Sequence, residues 1–232
     1  MCGRYRLSVT DKDLAERFGA VSEVEWAPRY NIAPTDMVPI VRQDMKLPTR
    51  RLTLAKWGLV PSWAKEASIG PKLINARAES LTEKPAFRES FLTRRCLVPA
   101  NGFYEWRKLT KGTQPFHIGM PDESIFGLAG LWERWRSPNG EWLKSCTIIT
   151  VPATPQIKDI HDRMPLIIPE GSYELWLDPA FKDPAGLQEL LRPAASEHLS
   201  VRTVSSRVSN VKYDDAACAI PAEPEQQLKL RI

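Results

Sequence analysis

A β-rich α+β domain with helices on its outside is what this 232-residue sequence predicts, and three observations predict it. Short runs of β-branched and aromatic residues recur along the chain, most plainly at 142–151. Twenty prolines interrupt the text too often for long helices. Strand and helix signals follow no βαβ alternation, and no internal repeat emerges. With no P-loop and no glycine-rich dinucleotide fingerprint, a nucleotide cofactor is not expected.

In order, residues 10–19 predict a short helix. Thr10 is its N-cap, acids fill the first turn, Leu14 and Phe18 lie four apart, and Gly19 ends it. Residues 28–34 form an extended segment held between two prolines. Strands are predicted at 38–41 and 52–60, and a turn at 58–65 sets Trp63 beside Lys65. Residues 71–79 lead into helical text through about Leu92, with Asn75 as N-cap and Pro85 in the first turn of a second helix. Phe87 and Phe91 mark the buried face of that helix. Strands at 94–99 and 102–108 follow, and Lys111-Gly112 turns the second into a strand at 115–118. Another pair, 125–132 and 142–151, brackets the turn at Ser137-Pro138-Asn139-Gly140. An irregular stretch from 152 to 165 precedes a short strand at 166–168, one or two helices within 170–191, and a closing segment at 200–211. Residues from about 223 read as a polar, frayed tail, and the whole of 1–232 reads as a single domain.

Composition narrows the function. Hydrophobic content of 43% and charged content of 26% are those of an ordinary globular protein, and no apolar run reaches membrane-span length. The start lacks the pattern of a secretory leader, so an intracellular location, nucleoid or cytoplasm (the nucleus in a eukaryote), is expected. Cys2, Cys96, Cys146 and Cys218 form no CxxC pair, so neither a metal site nor a disulfide framework is predicted. The net charge is +4, but residues 42–111 carry fifteen Lys and Arg against six Asp and Glu. A basic middle on a nearly neutral chain suits a phosphate backbone, or simply a solvated surface.

A few residues stand out for chemistry. Cys2 follows the initiator methionine, whose removal would leave an α-amine and a thiol on adjacent carbons, titrating near about 8 and about 8.5. Such a 1,2-aminothiol condenses with aldehydes to a thiazolidine. The other reading is a small buried residue. Of three histidines, His161 lies in a loop between Ile160 and Asp162, as an acid–base group or as a cap. Glu105 sits mid-strand among apolar neighbours, sharing a face with Phe103 and Arg107 while Tyr104 and Trp106 take the other. Desolvation there would raise its pKa into the range of a proton shuttle, unless an arginine pairs with it. Asn75 is a cap or a binder of a hydroxyl. Arg77 suits a phosphate, and Trp63 and Trp106 suit unpaired bases.

The motifs Met1-Cys2-Gly3-Arg4, Arg29-Tyr30-Asn31-Ile32-Ala33-Pro34, Trp57-Gly58 with Pro61-Ser62-Trp63, and Asn75-Ala76-Arg77-Ala78-Glu79 occur in order. Arg95-Cys96-Leu97-Val98-Pro99, Gly102-Phe103-Tyr104-Glu105-Trp106, Ile160-His161-Asp162-Arg163-Met164-Pro165 and Val204-Ser205 with Asn210-Val211 continue the series. Together they resemble the SRAP family, the SOS response-associated peptidases or abasic-site processing proteins. The resemblance implies a β-barrel-like core with short peripheral helices. It implies recognition of abasic sites in single-stranded DNA and at junctions with duplex, with Cys2 forming a thiazolidine crosslink, and no cofactor. It also implies Cys2, Asn75, Glu105 and His161 as catalytic residues, with Gly3, Arg4, Trp63, Arg77, Trp106 and Arg163 contacting DNA. A monomer is expected, since one chain end engages one lesion. Two other classes stay open: a cysteine-type (auto)peptidase, and a non-covalent single-stranded DNA binder.

Overall fold

The computed structural model describes residues 2–45, 47–193 and 198–222. The expected tail from 223 lies outside them. In chain order the elements are β1 (Tyr5–Leu7), α1 (Asp11–Phe18), β2 (Ala20–Ser22), β3 (Arg29–Ile32), β4 (Met37–Asp44), β5 (Leu47–Trp57) and β6 (Asn75–Arg77). Next come α2 (Arg88–Thr93), β7 (Arg95–Ala100), β8 (Gly102–Lys108), β9 (Thr113–Gly119), β10 (Phe126–Arg136) and β11 (Trp142–Pro152). The chain continues through α3 (Pro155–Lys158), β12 (Arg163–Pro165), β13 (Ile167–Ile168), α4 (Tyr173–Leu177), α5 (Pro184–Leu190) and β14 (Ser200–Thr203).

Strands β11, β10, β7, β4 and β5 pair in turn, and β5 returns to β11 to close a five-stranded barrel. Four of these contacts are antiparallel. The closing one is parallel and short, pairing Ser145 with Lys56 and Cys146 with Trp57. Beyond it β6 takes the place of β5 along β11, setting Ile148 opposite Asn75 and Thr150 opposite Arg77. The segment 163–168 enters where β10 and β11 part: β12 pairs with β11 and β13 with β10. A second, antiparallel sheet runs β14-β9-β8-β1-β3. One of its faces, with Tyr5, Leu7, Phe103 and Ile118, joins the barrel core. The other buries Tyr104 beneath Val204, Val208 and Cys218 of the C-terminal segment.

Local chemistry explains most of these elements. Thr10 and Asp13 form a reciprocal capping box at the start of α1, and Gly19 closes it in the left-handed conformation (φ 56°). Leu14 and Phe18 are its buried residues, contributing about 1.5–3 kcal/mol each. Gly112 (φ 76°) turns β8 into β9, and alternation along β8 is as expected from the sequence. Arg95 is buried, and its guanidinium donates to the carbonyls of Phe91, Leu92, Trp176, Asp178 and Phe181. One cation thereby serves the C-terminal carbonyls of both α2 and α4.

Three expectations fail. The first part of the helical text expected to follow residue 75 forms no α-helix, while the second short helix is present as α2: Asn75 opens a strand, because pairing with β11 outweighs local propensity, so it is no N-cap. Pro85 lies in a turn before α2, although Phe87 and Phe91 are buried as expected. The irregular stretch at 152–165 contains α3 and β12, the latter paired with β11.

Gly58 ends β5 at φ 132°, and a Cβ there would lie 2.8 Å from the Gly70 carbonyl oxygen. The two backbones meet at the root of the loop that leads to Asn75. Gly58→Ala should destabilise the protein by about 2 kcal/mol through strain and displacement of backbone, lowering Tm by roughly 4–8 °C. A thermal melt within 1–2 °C of wild type would show that this close approach is not required.

Candidate active site

Cys2 is fully buried, in the core shared by barrel and sheet. The segment holding it is fixed on two sides. Tyr5 pairs with Phe103, the Tyr104 N–H donates to the Arg4 carbonyl (2.9 Å), and the Tyr5 ring meets Trp57 edge-on at 5.4 Å. Trp57 is held in turn by its indole N–H on the Ile74 carbonyl (2.9 Å). Asn75, one residue further, donates from Nδ2 to the Cys2 carbonyl at 2.8 Å. Its Oδ1 is buried with no hydrogen-bond partner among the described residues. The side chain therefore positions residue 2 and keeps one acceptor for a hydroxyl or N–H.

Glu105 follows Tyr104 on β8 and is buried at 3% exposure. Desolvation pushes its carboxyl up to about 7, and Asp162 adds to the rise. Burial also raises the Cys2 thiol well above its ordinary range, and the negative charge of Glu105 raises it further, while the Arg4 backbone works the other way. The resting thiol is thus protonated and beside a carboxyl poised near neutrality. His161 is partly buried, and desolvation holds its imidazole below the usual value. Its Nδ1 accepts the Arg163 N–H at 2.9 Å, which leaves the proton of the neutral ring on Nε2. Asp162 Oδ1 lies 3.0 Å from the same nitrogen and would receive its proton in the imidazolium.

The structure divides the residues expected to meet DNA. Trp63 is 60% exposed, and Arg77 is exposed. Gly3 and Arg4 are half-buried. Arg4 donates from one guanidinium nitrogen to Asn31 Oδ1 and to the Val208 carbonyl, both at 2.8 Å, and lies 5.7 Å over the Trp106 ring. Trp106 packs against the Tyr104 cluster and donates to Ser209 Oγ at 2.9 Å. Arg163 is 91% buried, forked onto Glu79 (2.6 and 2.9 Å) and bonded to the Thr150 carbonyl. Its guanidinium braces β12 to the chain after β6, which departs from the phosphate contact expected of it.

Two residues given no role by sequence reasoning hold this region together. Asn31 is buried, accepts from Arg4, and donates to the carbonyls of Val208, Asn210 and Tyr213. Asp214 accepts the backbone N–H groups of Tyr30 (2.6 Å) and Asn31 (2.7 Å) and pairs with Arg29. A buried asparagine between two prolines was a usable signal. Asp214, in a polar run near the end, gave none.

Comparisons with known proteins bear on the family and the fold. The family described as SOS response associated peptidase (SRAP) matches residues 1–211. The abasic site processing protein YoqW of Bacillus subtilis is 41% identical over 91% of this chain and 96% of its own. The abasic site processing protein HMCES of Gallus gallus is 33% identical over 96% of this chain and 78% of its own. A crystal structure of a protein from Bacteroides thetaiotaomicron superposes with a TM-score of 0.86 at 27% identity, covering 96% of this chain and all of that one.

The raised value of Glu105 has a sign that can be tested. Folding favours its protonated form, so that contribution is complete below the ordinary 4.5 and is lost as pH rises through about 7. Glu105→Gln should therefore gain melting temperature relative to wild type as pH rises from about 5 to about 8. Parallel curves across that range would show that the carboxyl is not held in its protonated form.

Proposed function

Because the chain belongs to the SOS response-associated peptidase family, we propose that it processes abasic sites in single-stranded DNA through a covalent link to Cys2. The observation that carries the reading is the convergence of Asn75 and Glu105 on residue 2, one removed methionine away from being an N-terminal 1,2-aminothiol. That pair of groups has one preferred target, an aldehyde, and loss of a base leaves a deoxyribose in equilibrium with its open-chain aldehyde.

The steps balance as a condensation. Glu105 in its acid form protonates the ring oxygen as the sugar opens. The Cys2 amine attacks C1′, and the carbinolamine loses water to give an imine. The thiol sulfur then adds to the imine carbon, and its proton passes by way of Glu105 to the nitrogen, closing the thiazolidine. One water leaves and no oxidant is needed. A carboxyl near 7 serves both directions of transfer. The unused acceptor of Asn75 takes a sugar hydroxyl, and neutral His161 donates from Nε2 at the imine stage. Gly3, Arg4 and Arg77 line the backbone path. Trp63 offers an open face at a junction with duplex, and Trp106 flanks the lesion from its fixed position. Arg163 acts through Glu79 and β12 as a positioning residue. The protein works as a monomer where chromosomal DNA lies, in the nucleoid or cytoplasm.

Mixing the mature protein with an oligonucleotide carrying one abasic site should give a band that survives heat and denaturant. Cys2→Ala or a tag on the amine should abolish it, and Glu105→Gln should slow formation and reversal by about 10²–10⁴-fold. A band that persists in Cys2→Ala refutes the thiazolidine. Peptide hydrolysis without a band would favour a peptidase, and salt-sensitive retention alone a non-covalent binder.

A further inference from the structure

Away from Cys2, a cavity of about 440 Å³ opens at the hairpin end of the barrel, lined by Ser62, Glu89, Arg94, Trp132, Arg134 and Trp142, with Glu133 completing its wall. Its size is that of a small-ligand site. Register makes its character. Trp132, Arg134 and Arg136 alternate along β10, and Arg134 and Arg136 stand directly opposite Lys144 and Trp142 on β11. Trp142 is 59% exposed, with the Arg134 guanidinium 4.5 Å and that of Arg136 5.7 Å from its ring centre.

The charges are unevenly answered. The Glu133 carboxylate is taken by Arg94 (2.9 and 3.0 Å) and by Ser90 (3.2 Å), and Glu89 also pairs with Arg94. Arg134 and Arg136 form no salt bridge among the described residues. The indole N–H of Trp132, a side chain 92% buried in the cavity wall, has no acceptor among those residues. A folded chain rarely leaves such a donor unused. An exposed indole and two guanidiniums without carboxylates match a ligand with flat apolar faces and anionic oxygens. A nucleotide has both.

The geometry points to a second single-strand platform here, centred on Trp142 and Arg136, that holds a nucleotide remote from the lesion on the same DNA strand. The inference rests on the DNA reading above and extends its path. Ser62 of the cavity wall adjoins Trp63 in the sequence, and Trp63 is itself 60% exposed. Trp142 lies six residues along β11 from Ile148, the partner of Asn75, or about 20 Å in extended chain. That distance corresponds to about six steps of a strand at B-form rise.

Flank length is therefore the test. Full-length protein carrying Cys2→Ala is titrated by fluorescence anisotropy against single strands with a stable tetrahydrofuran abasic analogue. The flank on either side is about two or about ten nucleotides. Lengthening one flank should tighten binding, and Trp142→Ala should cancel that gain, a factor of about 5–150. Trp142→Phe should keep most of it and so exclude misfolding. Arg136→Gln should reduce the salt slope on the long flank by about 1. No gain in the parent protein on either side, or a gain that survives Trp142→Ala, overturns the platform and leaves the surface to a protein partner. Crosslinking by the unaltered protein is read separately. Crosslinking with no flank effect sinks the platform alone, whereas a flank effect without crosslinking sinks the thiazolidine alone.

Discussion

The parallel seam between β5 and β11 is the contact on which the rest of the molecule depends. It is only two residue pairs long, Ser145 with Lys56 and Cys146 with Trp57, yet it closes the barrel and sets the exit direction of β5. Gly58 then donates to the Cys146 carbonyl (2.8 Å) and lets the backbone pass against Gly70. The chain returns to the same edge of β11 as β6, which delivers Asn75. Trp57 contributes twice, packing against Tyr5 and capping Ile74. One short ladder thus fixes both the N-terminal segment and the residue that binds it. Parallel pairing is slightly weaker per residue, and here it is backed by Trp57, whose side chain is fully buried.

Burial then sets the electrostatics of the site. Cys2 and Glu105 lie in low dielectric, where each favours its protonated form, and the charge of Glu105 further opposes ionisation of Cys2. A thiolate exposed at a chain end would react with any oxidant or electrophile. The Cys2 thiol is instead kept protonated by the same desolvation that raises Glu105.

How much of this was legible follows from how far each signal travels. The helix at 10–19, the strand carrying Glu105 and the turn at Gly112 depend on neighbours within a few residues, and local pattern gives them correctly. Asn75 depends on Ile148, seventy-three residues away, and local text suggested a helix cap instead. The fate of Arg163 was hidden for the same reason: its partner Glu79 comes from a distant segment, so a cation that looked free is a buried brace. Asp214 and Asn31 join the two ends of the chain, beyond the reach of any periodicity. What the sequence held at long range lay in the order of its motifs, since Cys2, Asn75, Glu105 and His161 all fall within them.

The arrangement also separates two duties that a DNA-processing surface must combine. Arg163 and Arg95 are buried and paired with carboxylate or carbonyl groups, so their charge is spent on the fold. Arg77 is exposed, and Arg134 and Arg136 reach no carboxylate among the described residues, so their charge remains available outside. Arg4 stands between these cases: half-buried, anchored by Asn31 and Val208, and stacked near Trp106 two residues from Cys2. A guanidinium held through one nitrogen and set over an indole is already ordered, so it loses less entropy on meeting an acceptor. The C-terminal segment supplies both Val208 and Ser209, and through them it holds Arg4 and Trp106 in one geometry.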